Sequence, residues 1–165
     1  MLILLCGVSG SGKTTIGRLL AARLRCRFID ADDFHPAANR AKMSRGEPLE
    51  DSDREEWLDA LHARLIAASK DGEALVLACS ALKAIYRERL AEGLATPLRI
   101  LFLRADAQLL RQRLKQRDDH FFPAGLLDSQ MAALEVPDEA LVLDASEAPE
   151  VIVDCAAGHL APDPK

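Results

Sequence analysis

Short apolar runs alternate along the chain with stretches in which apolar positions return every three or four residues. The runs at 2–6, 27–30, 74–79, 98–103 and 140–144 have strand length and the near-continuous hydrophobicity of strands covered on both faces. After the first run, Ile16, Leu19, Leu20 and Leu24 share a helical face, so 13–25 reads as an amphipathic helix. Ser52 three residues before Glu55 fits a capping box. The stripe Trp57, Leu61, Leu65 and Ala68 then predicts a helix over about 53–69. Leu82, Ile85, Tyr86 and Leu90 repeat the pattern after the third run, and Leu109, Leu110, Arg113 and Leu114 after the fourth. Strand and helix in regular alternation predict a parallel sheet with crossover helices. Residues 118–137 are the least regular stretch and are expected to be mobile. No internal repeat, Ser/Gly linker or charge block divides the chain.

At 165 residues, 49% hydrophobic and 28% charged, the sequence provides for one domain around one core and lacks the bias of a disordered chain. Lys plus Arg number 21 against 26 for Asp plus Glu, a net of −5, and such a field repels polyanions. Nucleic acid is therefore not an expected partner. The first apolar run is too short for a signal core or a membrane span and no other stretch reaches spanning length. No membrane partner is expected, and the expected location is cytoplasmic. Cys6, Cys26, Cys79 and Cys155 are scattered, without a C-x-x-C pair or histidines at metal-ligand spacing, and read as buried thiols in a reducing compartment.

In open parallel sheets ligands bind beyond the carboxyl ends of the strands. There, between the first strand and its helix, Gly7-Val8-Ser9-Gly10-Ser11-Gly12-Lys13-Thr14 matches G-x-x-x-x-G-K-[ST], with Thr15 following. Glycines that let successive N–H groups turn inward, a helix start behind them and a lysine that reaches β and γ phosphates make a nucleotide triphosphate the expected ligand. Thr14 would offer its hydroxyl to Mg²⁺. A GTPase would need N-K-x-D and D-x-x-G, and neither string occurs. The third strand ends at Cys79-Ser80 without the acid that often supports the metal. The second ends in Asp30-Ala31-Asp32-Asp33, where strand alternation sends Asp30 and Asp32 to one side.

Further strings narrow the reading. They are Asp30-Ala31-Asp32-Asp33-Phe34-His35-Pro36 with Asn39, Lys42 and Met43; Gly46-Glu47-Pro48-Leu49 with Asp51, Asp53, Arg54, Trp57 and Leu58; and Ala78-Cys79-Ser80-Ala81-Leu82-Lys83 with Tyr86 and Arg87. With Arg113, Arg117, His120, Phe121 and Phe122 they span nearly the whole chain, which resembles the bacterial gluconokinases, relatives of the shikimate kinases. The resemblance implies an α/β, three-layer P-loop kinase fold: a single domain over 1–165, a central parallel sheet of about five strands flanked by helices, and a mobile lid at approximately 117–137. It implies transfer of the γ-phosphoryl of ATP, the co-substrate, to the 6-hydroxyl of D-gluconate with Mg²⁺ as cofactor, and a homodimer. A kinase for another small acceptor such as shikimate, or a regulatory nucleotide-binding module without catalysis, are the alternatives.

By similarity to shikimate kinases, Asp32 would orient the acceptor hydroxyl or accept its proton, and Asp30 would help hold Mg²⁺, mostly through water. Either could instead cap the following helix. Arg54 is the candidate carboxylate anchor, with an ion pair to Asp51 or Asp53 as the alternative. His35, Asn39 and Lys42 could line the acceptor pocket, His35 being otherwise a cap and Lys42 a solvated charge. Ser80, Lys83 and Arg87 follow the third strand on the acceptor side, and Trp57 reads as core. Arg113 and Arg117, four apart before the lid, are the candidates for the transferred phosphoryl group, with ordinary surface charges as the alternative, and His120 could reach substrate from the lid. Adenine is expected near residues 145–149.

Overall fold

The computed structural model describes residues 1–116 and 124–161. Five strands, β1 (Leu2–Cys6), β2 (Arg27–Asp30), β3 (Leu75–Ala78), β4 (Leu98–Arg104) and β5 (Leu141–Asp144), form one parallel sheet in the order β2-β3-β1-β4-β5. The expected five-stranded parallel sheet is present, each strand within a residue or so of its predicted bounds. β1 lies at the centre and is buried at every residue. Alternation along it divides the core. Leu2, Leu4 and Cys6 face a cluster with Trp57, Leu61 and Leu65, whereas Ile3 and Leu5 face one with Ile16, Leu20 and Ile152.

The first cluster is covered by α3 (Glu55–Lys70) and α4 (Ala84–Ala91), the second by α1 (Lys13–Leu24) and α7 (Pro149–Leu160), giving three layers. Gly17 permits α1 to lie close to β2, since a Cβ there would meet Phe28 Cε2 at 2.6 Å. The remaining helices are α2 (Ala37–Ser44), α5 (Ala107–Lys115) and α6 (Ala124–Ala133). Among the described residues no helix is long and apolar enough to cross a membrane.

Several expectations are corrected. Ser52 does not cap α3: a 3-10 turn over Ser52–Arg54 precedes the helix, and no side chain bonds its start. Leu19 and Ile85 are exposed, the stripes on α1 and α4 being narrower than read. Cys155 is exposed and Cys26 only partly buried; Cys6 and Cys79 are buried, and burial pushes their thiols up to about 11 and about 12. Of the expected lid, residues 117–123, with Arg117 and His120, lie outside the described residues. The stretch read as irregular carries a helix there, α6, whose Leu126 and Leu127 are buried, Leu127 with Val8, Leu82, Leu110 and Leu114. Its mixed polarity hid it, because only part of one face meets the core.

Candidate active site

The carboxyl ends of β1, β2 and β3 converge on one edge, and the glycine loop springs from β1. Gly7, Gly10 and Gly12 have φ of 147°, 85° and 98°, the left-handed region that glycine enters freely. A Cβ on Gly7 would also lie 2.8 Å from the carbonyl oxygen of Leu103, so this turn admits only glycine. Lys13 opens α1, and its Nζ donates to the carbonyl of Val8 at 3.1 Å. Burial pushes the Lys13 ammonium below its usual range, with the Asp32 carboxylate the largest charge opposing that shift.

Thr14 Oγ1 donates to Asp30 Oδ2 at 2.7 Å, joining the start of α1 to the end of β2. The other oxygen of Asp30 accepts from the backbone N–H of Asp32 at 3.2 Å and caps the 3-10 turn Ala31–Phe34. Asp30 therefore both caps and faces the loop. Asp32 lies in that turn rather than on a continued strand, so strand alternation is not what brings it near Lys13. A hydroxyl beside a carboxylate next to a phosphate loop is the hard-oxygen donor set that suits Mg²⁺, and Thr14 and Asp30 fit that ion.

On the outer side of the loop a cleft of about 260 Å³ is bounded by Gly12, Thr15, Ile16, Arg113, Glu147 and Ile152. Arg113 donates to the carbonyls of Ala145 at 2.7 Å and Ser11 at 3.4 Å. It forms the wall between the phosphate loop and the residues after β5, where the adenine end of a nucleotide was expected.

The other side of the loop is polar. His35 is buried, stacked on Trp57 with centroids 4.5 Å apart, and lies 3.4 Å from Asn39 Nδ2. Trp57 is core, as expected, and its indole N–H donates to the carbonyl of Ala31 at 2.7 Å, pinning the Asp32 turn to α3. Asn39 donates to the carbonyl of Asp53, and Lys42, partly exposed, pairs with the Asp53 carboxylate at 2.7 Å. Asp51 gathers the neighbouring cations. It accepts from Lys83 at 2.7 Å and from the Tyr86 hydroxyl at 2.5 Å, with Arg54 Nη1 at 3.7 Å. Arg54 and Lys83 both lie over the Tyr86 ring, 5.7 Å from its centroid.

Arg54 and Lys83 thus come together, joined by Asp51 and Tyr86; the Asp51 pairing of Arg54 is the local alternative read for it, whereas Asp51 meets Lys83 and Tyr86 across 32 and 35 residues, which left no local signal. Ser80 is placed beside the loop, its carbonyl accepting from Gly7 N at 3.4 Å. Arg87 is buried, and its guanidinium donates to the carbonyls of Ala81 and Leu82. It braces the loop after β3 from beneath.

Burial, helped by the charges of Arg54 and Arg40, pushes His35 down from its ordinary 6.5 to about 4. The folded protein keeps the imidazole neutral where the unfolded chain protonates it. The stability this represents is whole above about pH 6.5 and declines as pH falls toward 4, by about 3 kcal/mol in total. Urea unfolding across pH 4–7 should show a steeper acid loss for the native sequence than for His35→Gln; equal slopes would contradict a neutral buried His35.

A family model described as an AAA domain matches residues 2–148, a name for the nucleotide-binding fold and not for a reaction. A gluconokinase of Gluconobacter oxydans is 44% identical, over 93% of this chain and 87% of its own length. The thermosensitive gluconokinase of Escherichia coli is 46% identical over 81% of this chain and 71% of its own. Among solved structures, a gluconokinase from Sinorhizobium meliloti superposes with a TM-score of 0.86 at 38% identity, covering 97% of this chain and 93% of that one. With its phosphate loop, parallel sheet and these relatives over most of its length, the chain belongs to the gluconokinase family.

Proposed function

We propose that this protein transfers the γ-phosphoryl group of ATP to the 6-hydroxyl of D-gluconate, giving 6-phospho-D-gluconate and ADP. The observation that carries the reading is one edge of the sheet with two unlike walls. One is a phosphate loop with Lys13, Thr14 and Asp30; the other is a cationic cluster of Arg54 and Lys83 beside the neutral polar groups of His35 and Asn39. A polyanion and a sugar acid need those two surfaces.

The inward N–H groups from Gly7, Val8, Ser9, Gly10, Ser11 and Gly12 to Lys13 take the β and γ phosphates, with Thr15 and Arg113 along the nucleotide cleft. Lys13 keeps the Val8 carbonyl with one of its three N–H groups and offers the others to phosphate oxygens. Thr14 and Asp30 would hold Mg²⁺, which would supply positive charge to offset that of the phosphates. Asp32, pinned through Trp57 and close enough to feel Lys13, orients the acceptor hydroxyl toward the γ-phosphorus and takes its proton as the bond forms. Arg54, with Lys83, receives the gluconate carboxylate in exchange for Asp51, while His35, Asn39, Lys42 and Ser80 face its hydroxyls. Arg87 acts through the loop it braces, and by resemblance Arg117 would serve the transferred phosphoryl group and His120 the substrate, both being outside the described residues. The protein works as a cytoplasmic enzyme.

A fork that binds a carboxylate in two parallel bonds is poorly replaced by a point charge. Arg54→Ala is expected to raise the gluconate KM on the order of 10²-fold with the ATP KM within about threefold, and Arg54→Lys to recover only part of that. Steady-state kinetics with each substrate varied, and ³¹P NMR of the product, read the result. An unchanged gluconate KM would remove Arg54 from the acceptor site.

A further inference from the structure

The peptide unit between Val8 and Ser9 is held from both sides. Its carbonyl accepts from Lys13 Nζ at 3.1 Å, and its N–H donates to Gln130 Oε1 at 2.8 Å. Gln130 Nε2 in turn donates to Ser9 Oγ at 3.0 Å, so the amide makes a two-pronged contact with a single loop residue 121 positions away. The element that carries it is firm: α6 buries Leu127 with Val8, Leu82, Leu110 and Leu114, and Met131 packs against the same group. Its outer face is tied by Arg111 to Asp128 at 3.0 Å.

We propose that Gln130 is a positioning residue for phosphoryl transfer, fixing the Val8–Ser9 peptide and the Ser9 hydroxyl at the end of the phosphate loop where Lys13 meets the γ-phosphate. The proposal rests on the kinase reading of the site. A glutamine suits the task because it satisfies a donor and a hydroxyl at once while adding no charge beside a triphosphate. Without it the Ser9 N–H loses its partner and the peptide can rotate, carrying with it the carbonyl on which the Lys13 ammonium rests. A loss of this kind falls on the transferring phosphoryl group and leaves the sugar-acid pocket untouched.

Gln130→Ala is expected to lower kcat about tenfold with the acceptor KM within about threefold. Gln130→Met, which fills the same space without hydrogen bonds, should behave alike, and thermal melts show that either variant is folded. Gln130→Glu is the sharper probe. Its carboxylate still accepts from the Ser9 N–H and hydroxyl, so the resting loop is kept, but a negative charge now stands near the γ end. Calorimetric titration should show ATP binding weakened about tenfold and ADP binding by less than about threefold. A purely structural tie would leave Gln130→Glu like the native protein, or weaken both nucleotides equally; either result, or unchanged kcat in Gln130→Ala and Gln130→Met, overturns the proposal. Because ATP and ADP are titrated without acceptor, the expected ATP–ADP difference in a protein inactive on gluconate would retain Gln130's role and reject the acceptor assignment.

Discussion

Lys13→Ala lowers turnover by about 10³-fold or more while the protein stays folded. The ammonium is half-buried at the start of α1 and lies within hydrogen-bond reach of a loop carbonyl, so it sits where phosphate charge will accumulate before any nucleotide arrives. A preplaced cation in a site shielded from water stabilises developing charge without reorganising at the moment of transfer, and removing one such group typically costs 10²–10³-fold or more. Burial also depresses its pKa, and a triphosphate favours the charged form through the same kind of Coulomb interaction that Asp32 supplies. Kinetics at saturating ATP and gluconate, with a melting curve as control, check this. Residual activity within tenfold of the native protein would show that another cation performs the task.

Asp30→Asn is the second large effect. The amide oxygen can still accept from the Asp32 N–H, and the amide nitrogen can donate to the Thr14 hydroxyl where the carboxylate accepted from it, so both contacts can be kept, but the negative charge offered to Mg²⁺ is gone. Carboxylates that hold a metal or its waters are typically worth 10- to 100-fold in metal affinity. The Mg²⁺ concentration for half-maximal rate is therefore expected to rise by roughly that factor, and excess Mg²⁺ to recover much of the lost rate. A drop in rate that Mg²⁺ does not relieve would assign Asp30 to capping alone.

The sheet was legible because its strands are buried on both faces and therefore read as unbroken apolar runs; β1 and β2 were located to the residue. The phosphate loop was legible because its glycines and lysine answer to a local geometric demand. What escaped lies in contacts between distant segments. Asp51 meets Lys83 and Tyr86 only through packing of the α3 and α4 region, and Gln130 reaches Ser9 from a helix with too little apolar periodicity to announce itself. Arg87 was read as facing substrate because spacing places it one turn beyond Lys83; spacing cannot show that its guanidinium turns inward to two carbonyls. The capping box at Ser52 failed for a related reason, since a 3-10 turn closed by the Arg54 N–H on the Asp51 carbonyl, with Asn39 donating to the Asp53 carbonyl, takes the place of the local bond.

The most direct measurement is ADP release by the purified protein with Mg-ATP, offered D-gluconate, shikimate, other sugar acids and nucleoside monophosphates in parallel, with Lys13→Ala as the blank. Rapid turnover is expected with gluconate, with phosphate on its 6-hydroxyl, and none above the blank with shikimate or the nucleotides. Turnover with another acceptor in place of gluconate, or ATP binding with no acceptor-dependent turnover at all, would contradict the assignment of the cationic cluster around Arg54 to gluconate.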